Sequence, residues 1–352
     1  MLTVYEWTGV EARALRLAKR MSVRAFAAHL GIAVRTVTKW EAGGAGTTPR
    51  PDTQALLDTV LQRATAEEQA RFRHLLRQTR TPPPAIWEER ACDYETWADD
   101  LERAAVHQYR QDHETASLLL NKWLNSTADR HDDQGLYLRA RSLVLLGDSY
   151  RDQGVLTGPR AACRTYHRAL TIYSQLAIPR RIAQVQLALT LISEMSGELD
   201  RAARGYEELS ADERLSPRDR ARSLLWLGTT LSKAGRHSAA IEKMNQAVRL
   251  MEELDEVEDW SVAHQKLALA HRAQGNLDQA QRLVAIALAN AVSGSPLQSV
   301  RLQAAHGHIL LSDRRTCDHG LKLLDQAAAM ATRYRLGHQK RSIDGIRRDH
   351  ER

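Results

Sequence analysis

The sequence predicts an all-α protein in which a small helical head precedes a solenoid of about six helix pairs. Apolar residues recur at three- and four-residue spacing through most of the 352 positions. Only two residues are Phe, aromatics make up 5%, and Ala, Leu, Arg and Gln are abundant, a composition that favours helix over sheet. From Gly147 onward, small residues recur about every 40 positions. The length predicts two or more domains.

The head is organised around residues 22–41, SVRAFAAHLGIAVRTVTKWE, which predict two short helices joined by a tight turn. Ser22 is a suitable N-cap for the first helix, and apolar residues follow it on one face. Gly31 tolerates the left-handed backbone needed to leave that helix sharply. The second helix turns Val37 and Trp40 inward. Its outward positions are Val34, Arg35, Thr36 and Lys39.

At these residues the stretch resembles the Cro/C1 (XRE) helix-turn-helix of phage repressors and bacterial regulators. The resemblance runs from Glu11 to Glu41, and less closely to Ala64. It implies a five-helix DNA-binding domain over residues 1–78 and a buried ion pair between Arg16 and Glu41. It also implies that double-stranded DNA is contacted by Ser22, Val23, Arg24, Val34, Arg35, Thr36, Lys39 and Arg50, of which Val34, Arg35, Thr36 and Lys39 occupy base-reading positions.

Two positions depart from the pattern of that family. Ala33 stands where a Ser or Thr cap is usual, and Val23 stands where a Gln usually touches phosphate. Both changes weaken backbone anchoring and predict a weak monomeric binder, which would gain affinity from pairing. We therefore predict a homodimer. The alternative is an αα-hairpin used only for packing.

Charge supports a polyanionic partner. Residues 1–80 hold 13 Lys and Arg against 7 Asp and Glu, and the whole chain has a net charge of +7. The acidic run at 252–259 is interpreted as a solvated face, with partner docking as the alternative.

Other function classes lack the residues they need. No apolar run reaches membrane-spanning length, and the N-terminus does not resemble a signal peptide, so we expect a cytoplasmic protein. Three widely separated Cys argue against a disulfide framework or a zinc site. The sequence contains no phosphate-binding loop and no catalytic arrangement. We therefore expect no enzymatic activity, no cofactor and no metal.

Residues 79–90 begin with TRTPPPA and predict a Pro-rich linker, a semi-rigid spacer. Residues 91–352 then predict a tetratricopeptide-like (TPR-like) repeat domain. Its marker positions are separated by 43, 38, 40 and 40 residues and are Gly147, Thr190, Gly228, Ala268 and His308. Small residues are needed where the two helices of a pair cross. A generic helical bundle is the alternative.

The first helix of each pair should line a concave face. By the repeat spacing, the lining candidates are Arg141, Asp148, Arg151, Gln184, Glu194, Arg222, Thr229, Ser232, Lys233, Gln265 and Arg272. Such a polar lining suits a peptide or small-molecule effector, and a solvated groove without a ligand is the alternative. The arrangement resembles the peptide-sensing quorum regulators of Gram-positive bacteria, although the inner-face Asn residues usual in that family are missing from this lining.

Together these features predict a dimeric, sequence-specific transcriptional regulator whose repeat domain senses a signal and dimerises. The alternative is a TPR protein-interaction scaffold whose helix-turn-helix only packs or attaches.

Overall fold

The computed structural model describes residues 4, 7–79, 94–126, 132–291 and 294–351, with the backbone alone at 77–79. Every regular element in these ranges is helical, which confirms the all-α fold class. No helix in them is long and apolar enough to cross a membrane. The predicted Pro-rich linker lies outside the described residues, except for residue 79 at the end of a helix.

Five helices form the head, and a short 3-10 turn at Gly44–Gly46 follows the third. They are α1 (Gly9–Ala18), α2 (Val23–Leu30), α3 (Val34–Gly43), α4 (Pro51–Gln62) and α5 (Ala66–Thr79). The Thr8 side chain caps α1 and Glu11 completes the capping box. Thr65 and Glu68 form the same reciprocal pair at the start of α5. These local signals explain where the helices begin.

Six helix pairs and a terminal helix follow among the described residues, which confirms the TPR-like solenoid. They are α6 (Tyr94–Tyr109), α7 (His113–Ser126), α8 (Asp133–Asp152), α9 (Ala162–Gln175), α10 (Pro179–Met195), α11 (Leu199–Ser210), α12 (Pro217–Lys233), α13 (His237–Glu253), α14 (Val257–Ala273), α15 (Leu277–Ala289), α16 (Pro296–Leu310), α17 (Cys317–Arg333) and α18 (Gly337–His350).

The chain divides into two compact units, and the first helix pair belongs with the head. One unit comprises residues 1–108 and 113–129, and the other comprises 109–112 and 130–352. The sequence analysis ended the DNA-binding domain at residue 78, whereas the first compact unit continues through α6 and α7. The assignment of separate DNA-binding and repeat domains on either side of residues 79–90 remains a prediction.

Close helix crossings explain the repeated small residues. A Cβ on Gly228 would lie 2.6 Å from the Met244 Cγ on the neighbouring helix, so α12 and α13 can approach only at a glycine. In the last pair this role belongs to Gly307, whose added Cβ would lie 2.9 Å from the Gly320 carbonyl oxygen. The sequence analysis assigned His308 to this position, and that register is wrong by one residue.

Within the second unit, the row of helix pairs closes on itself. The helices α10, α12, α14, α16 and α18 contact one another in succession, and α18 contacts α8. Arg341 Nη2 donates to the Gly154 carbonyl oxygen at 2.9 Å. Gly337 fits closely here, because a Cβ would lie 2.2 Å from the Gln153 carbonyl oxygen. The first helices of the pairs and α18 therefore form an inner ring.

Candidate functional site

The turn between α2 and α3 has the geometry of a helix-turn-helix. The Ser22 hydroxyl accepts a hydrogen bond from the Ala25 N–H at 3.1 Å and caps α2. Gly31 ends α2 with φ +70°, in the left-handed region. In α3, Val37 is fully buried and Trp40 is 5% exposed. One face of α3 therefore belongs to the core, and its other face is free.

That free face presents the predicted base-reading side chains. Val34 is 45% exposed, Arg35 and Lys39 are exposed, and Thr36 is partly buried. The backbone of Val34 also accepts the Thr38 hydroxyl at 3.1 Å. An exposed valine beside an exposed arginine suits contact with a thymine methyl group and a base edge.

The cations of the head fall into two groups. Lys19 pairs with Glu68 at 3.3 Å, and Arg71 Nε donates to the Ala18 carbonyl oxygen at 2.9 Å. In contrast, seven exposed cations have no ion-pair or side-chain hydrogen-bond partner among the described residues: Arg13, Arg20, Arg24, Arg35, Lys39, Arg50 and Arg63. Four of them, Arg24, Arg35, Lys39 and Arg50, are among the residues that the resemblance predicts to contact DNA. Their charge is available to a polyanion.

Arg16 and Glu41 lie in contact and join α1 to α3. Arg16 Nε and Nη2 donate to the two Glu41 carboxylate oxygens at 2.5 and 2.8 Å, and Nη1 donates to the Met21 carbonyl oxygen at 2.8 Å. The hydrogen bond to Glu41 raises the pKa of Arg16 above its ordinary value. A bidentate pair of this kind fixes orientation as well as adding energy, so it holds α3 against α1.

The two departures from the family pattern have visible structural consequences. Val23 is partly buried and packs against the core of the head, so it offers no polar group to a phosphate. Ala33 precedes α3 with φ −69° and ψ 139°, the backbone of an N-cap residue, but supplies no side-chain hydrogen bond.

Ala33→Ser should therefore stabilise the head. The backbone already has the N-cap conformation, and a hydroxyl would satisfy a free N–H of the first turn, for a gain of about 0.5–2 kcal/mol in free energy of unfolding. Urea unfolding of wild type and variant measures the gain. Ser22→Ala is the matched control and should lose a similar amount. Equal stability of Ala33→Ser and wild type would contradict the assignment of Ala33 as an N-cap.

A buried polar network surrounds Asp58 of α4. Asp58 is 3% exposed and accepts hydrogen bonds from Trp7 Nε1 at 2.7 Å and Arg103 Nε at 2.6 Å, and His107 Nε2 lies 2.8 Å from it. Arg103 is fully buried and also donates to the Val4 carbonyl oxygen. The network joins α4 of the head to α6. Sequence reasoning missed it, although Asp58 lies between Gln54 and Leu61 on the inward face of α4, where a charge signals a buried partner.

In the second unit, most of the predicted lining residues form ion pairs or hydrogen bonds with neighbouring side chains or backbone groups. Arg151 Nη1 donates to Asp148 at 2.6 Å, and Nη2 donates to Asp152 at 3.0 Å. Lys233 Nζ pairs at 2.7 Å with Glu194, which is 5% exposed and also accepts the Tyr206 hydroxyl. The Lys233–Glu194 pair connects α12 to α10, whereas the pairs of Arg151 lie within α8, and both sets compensate buried charge.

The remaining predicted lining residues are distributed as follows. Arg222 pairs with Asp259 at 2.9 Å, and Asp259 is only 7% exposed, so it departs from the interpretation of residues 252–259 as a solvated face. The other acidic residues of the run agree with that interpretation, since Glu252, Glu253, Asp255 and Glu258 are exposed and Glu256 is partly buried. Gln184 bonds to Arg181 and Asp219, and lies near Arg141 in a small cavity. Ser232 is partly buried, and Thr229 donates to the Leu225 carbonyl oxygen in its own helix. Gln265 donates to the Arg301 carbonyl oxygen, and Arg272 donates to the His308 carbonyl oxygen.

Sequence reasoning missed Lys266, Arg301 and His338, which belong to the inner ring. The charges of Arg301, Lys233 and Glu194 act on Lys266, and the charges of Asp152, Arg151 and Glu194 act on Arg301. With Gly307 as the marker, Arg301 occupies the repeat position of Arg141 and Arg222, six residues before it. Because the sequence analysis placed the marker at His308, one residue too late, it did not identify Arg301 as a lining residue.

The part of the chain that the structure describes contains no candidate metal site. No group of three or more His, Cys, Asp or Glu side chains there is placed to hold a metal ion.

Comparison with known proteins shows the fold and not the family. No protein-family model and no curated protein sequence matches the chain. Among solved structures, the Rap conjugation gene regulator of the plasmid pLS20, in complex with the Phr* peptide, is 12% identical with a TM-score of 0.53, and the match covers 93% of this chain and 98% of that one. Aspartyl phosphate phosphatase F from Bacillus subtilis is 13% identical with a TM-score of 0.52, covering 99% and 96%. A Rap protein complexed with competence and sporulation factor is 12% identical with a TM-score of 0.51, covering 97% and 98%. The likeness supports the TPR-like fold.

Proposed function

We propose that the protein is a sequence-specific DNA-binding transcriptional regulator that acts as a homodimer. The exposed face of α3 would enter the major groove, where Arg35 and Lys39 would contact base edges and Thr36 would add a methyl or hydroxyl contact. Arg24 and Arg50, together with the N-terminus of α2 at Ser22, would contact the phosphate backbone.

The observation that carries this proposal is that the cations at the predicted DNA-contact positions are exposed and unpaired. Arg16, Lys19 and Arg71 are engaged within the protein, whereas Arg24, Arg35, Lys39 and Arg50 have no side-chain partner among the described residues. Packing of a helical hairpin does not require a free cationic face. DNA binding does, because neutralising phosphates supplies most of the affinity.

We assign to the second unit the roles of dimerisation and signal sensing. Two of the structurally similar proteins are complexes, one with the Phr* peptide and one with competence and sporulation factor. By analogy of fold, the inner ring is the place for an effector in this chain. A dimer would link two weak heads and raise affinity through effective concentration. Cytoplasmic localisation is part of the same proposal.

The proposal is tested by sequence selection from random duplex DNA, with the oligomeric state measured by light scattering. We expect enrichment of one motif with two half-sites, bound by a dimer. The control is the variant Arg35→Ala/Lys39→Ala, which should enrich nothing.

Failure of the wild-type protein to enrich any motif would overturn the assignment. The interaction scaffold would then be the better explanation, with the head serving only for packing or attachment.

A further inference from the structure

The inner ring of the second unit gathers charged side chains from six helices. Arg151 and Asp152 come from α8, and the others come one from each helix: Glu194, Lys233, Lys266, Arg301 and His338. Each of these side chains acts electrostatically on others from different helices. The closure of α18 onto α8 brings them around one axis, because Arg341 Nη2 reaches the Gly154 carbonyl oxygen.

The carboxylates of this cluster already form ion pairs with neighbouring side chains. Asp152 pairs with Arg151, and Glu194 pairs with Lys233 while also accepting the Tyr206 hydroxyl. Lys266 and Arg301 remain, and neither has an ion pair or a side-chain hydrogen bond within the described ranges. Lys266 Nζ lies 5.5 Å from the centroid of the Trp226 ring, within the range of a cation–π contact.

Unpaired cations in a partly buried position are costly. Lys266 and Arg301 are both partly buried, and the charges of other cations act on both side chains. Burial, with the charges of Arg301 and Lys233, lowers the pKa of Lys266 to about 7, against a smaller opposing effect of Glu194. Burial also lowers the pKa of Arg301. A protein that only had to fold would be more stable with an uncharged residue at position 266.

We propose that the inner ring binds a ligand bearing an oxyanion, a carboxylate or a phosphate, and that Lys266 and Arg301 are its charge contacts. This inference rests on the proposed sensing role and names the chemistry of the effector. Arg301 would supply a planar fork that matches either oxyanion, and Lys266 would supply a point charge. The indole ring of Trp226 borders Lys266 and would cover the apolar part of the ligand.

The test uses the full-length protein and two probes, sodium pyrophosphate and the dipeptide Asp-Asp, with binding measured by calorimetry and by the shift in melting temperature. Potassium chloride of equal ionic strength and the amidated dipeptide Asn-Asn are the blanks. We expect one of the two probes to bind and to raise the melting temperature. The better probe identifies the oxyanion as phosphate or carboxylate.

Two variants and a matched control assign the contacts. Lys266→Met and Arg301→Met should each weaken probe binding by about tenfold or more, because each removes a charged hydrogen bond. Lys243→Met, on α13 outside the inner ring, should bind the probe as wild type does. Arg301→Lys keeps the charge and should retain part of the affinity, which guards against a folding defect.

Two further readouts distinguish a ligand contact from a structural role. Without ligand, Lys266→Met should melt at a higher temperature than wild type, since it removes an uncompensated charge. Near pH 8, above the pKa of Lys266, binding of the probe to wild type should take up a proton, seen as a buffer-dependent binding enthalpy, and this uptake should vanish in Lys266→Met.

If neither probe binds, or if wild type and both Met variants bind the probe equally, the proposal is overturned. None of these measurements involves DNA. Failure here therefore leaves the DNA-binding proposal standing, and failure of duplex selection leaves this one standing.

Discussion

Arg103→Ala should lower the free energy of unfolding of the first unit by about 3–5 kcal/mol. The guanidinium is fully buried and donates to both oxygens of Asp58, which is itself 3% exposed. Removing it leaves a buried carboxylate facing Trp7 and His107 with no permanent cation. Hydrogen exchange of the amides of α1 and α4 under increasing urea measures the loss within this unit.

Arg13→Ala, on α1 of the same unit, is the matched control. Its side chain is exposed and has no ion pair among the described residues, so the change should stay within about 0.5 kcal/mol. The double variant Asp58→Asn/Arg103→Met should recover part of the loss, because it removes the unpaired charge. If Arg103→Ala and Arg13→Ala cost the same, the network does not stabilise the first unit.

The same network has a defined pH dependence. Burial alone would raise the pKa of Asp58, but hydrogen bonds and charge from His107 and Arg103 outweigh it and lower the pKa below its ordinary value. The stabilisation is therefore present above the carboxyl's unfolded pKa of about 4 and is lost as pH falls through the lower folded value. The stability difference between wild type and Arg103→Ala should shrink in acid.

Much of the head could be predicted because its signals are local. Ser22 caps the helix that follows it, Gly31 takes the left-handed backbone, and Trp40 turns inward three residues after Val37. The capping requirement and the helical period both act within a few residues of sequence. The all-α fold class could be predicted because the same helical period and capping signals are repeated along the chain.

The missed features depend on long-range contacts. The inward position of Asp58 signals a buried partner, but nothing local identifies that partner as Arg103, 45 residues away, so the extension of the first unit through α6 and α7 could not be predicted. The repeat register failed at one point because Gly307 and His308 are adjacent, and spacing alone cannot separate two neighbouring positions. Pairing of Asp259 with Arg222 likewise joins two helices, so the burial of Asp259 within an otherwise exposed acidic run could not be predicted.

The proposed reading face predicts different outcomes for two exposed arginines. Arg35→Ala should lower discrimination for the preferred base pair by about 1–3 kcal/mol, because Arg35 would contact a base edge, while binding to unrelated duplexes changes little. Arg50→Ala should weaken binding to all duplexes and reduce the slope of log affinity against log salt by about 1, because Arg50 would neutralise one phosphate.

The two effects are separated by measuring the affinities of both variants for the selected motif and for a scrambled duplex at several salt concentrations. Arg201→Ala, a surface change on α11 of the second unit, is the unaffected control. Identical losses in both variants would refute the division of roles. The exposed face of α3 begins beside the uncapped Ala33, and Val23 offers no group to a phosphate. A single head therefore has few backbone contacts to hold its register, so the effect of Arg35→Ala on base discrimination should be clearest at the higher salt concentrations, where sequence-independent phosphate binding is weakest.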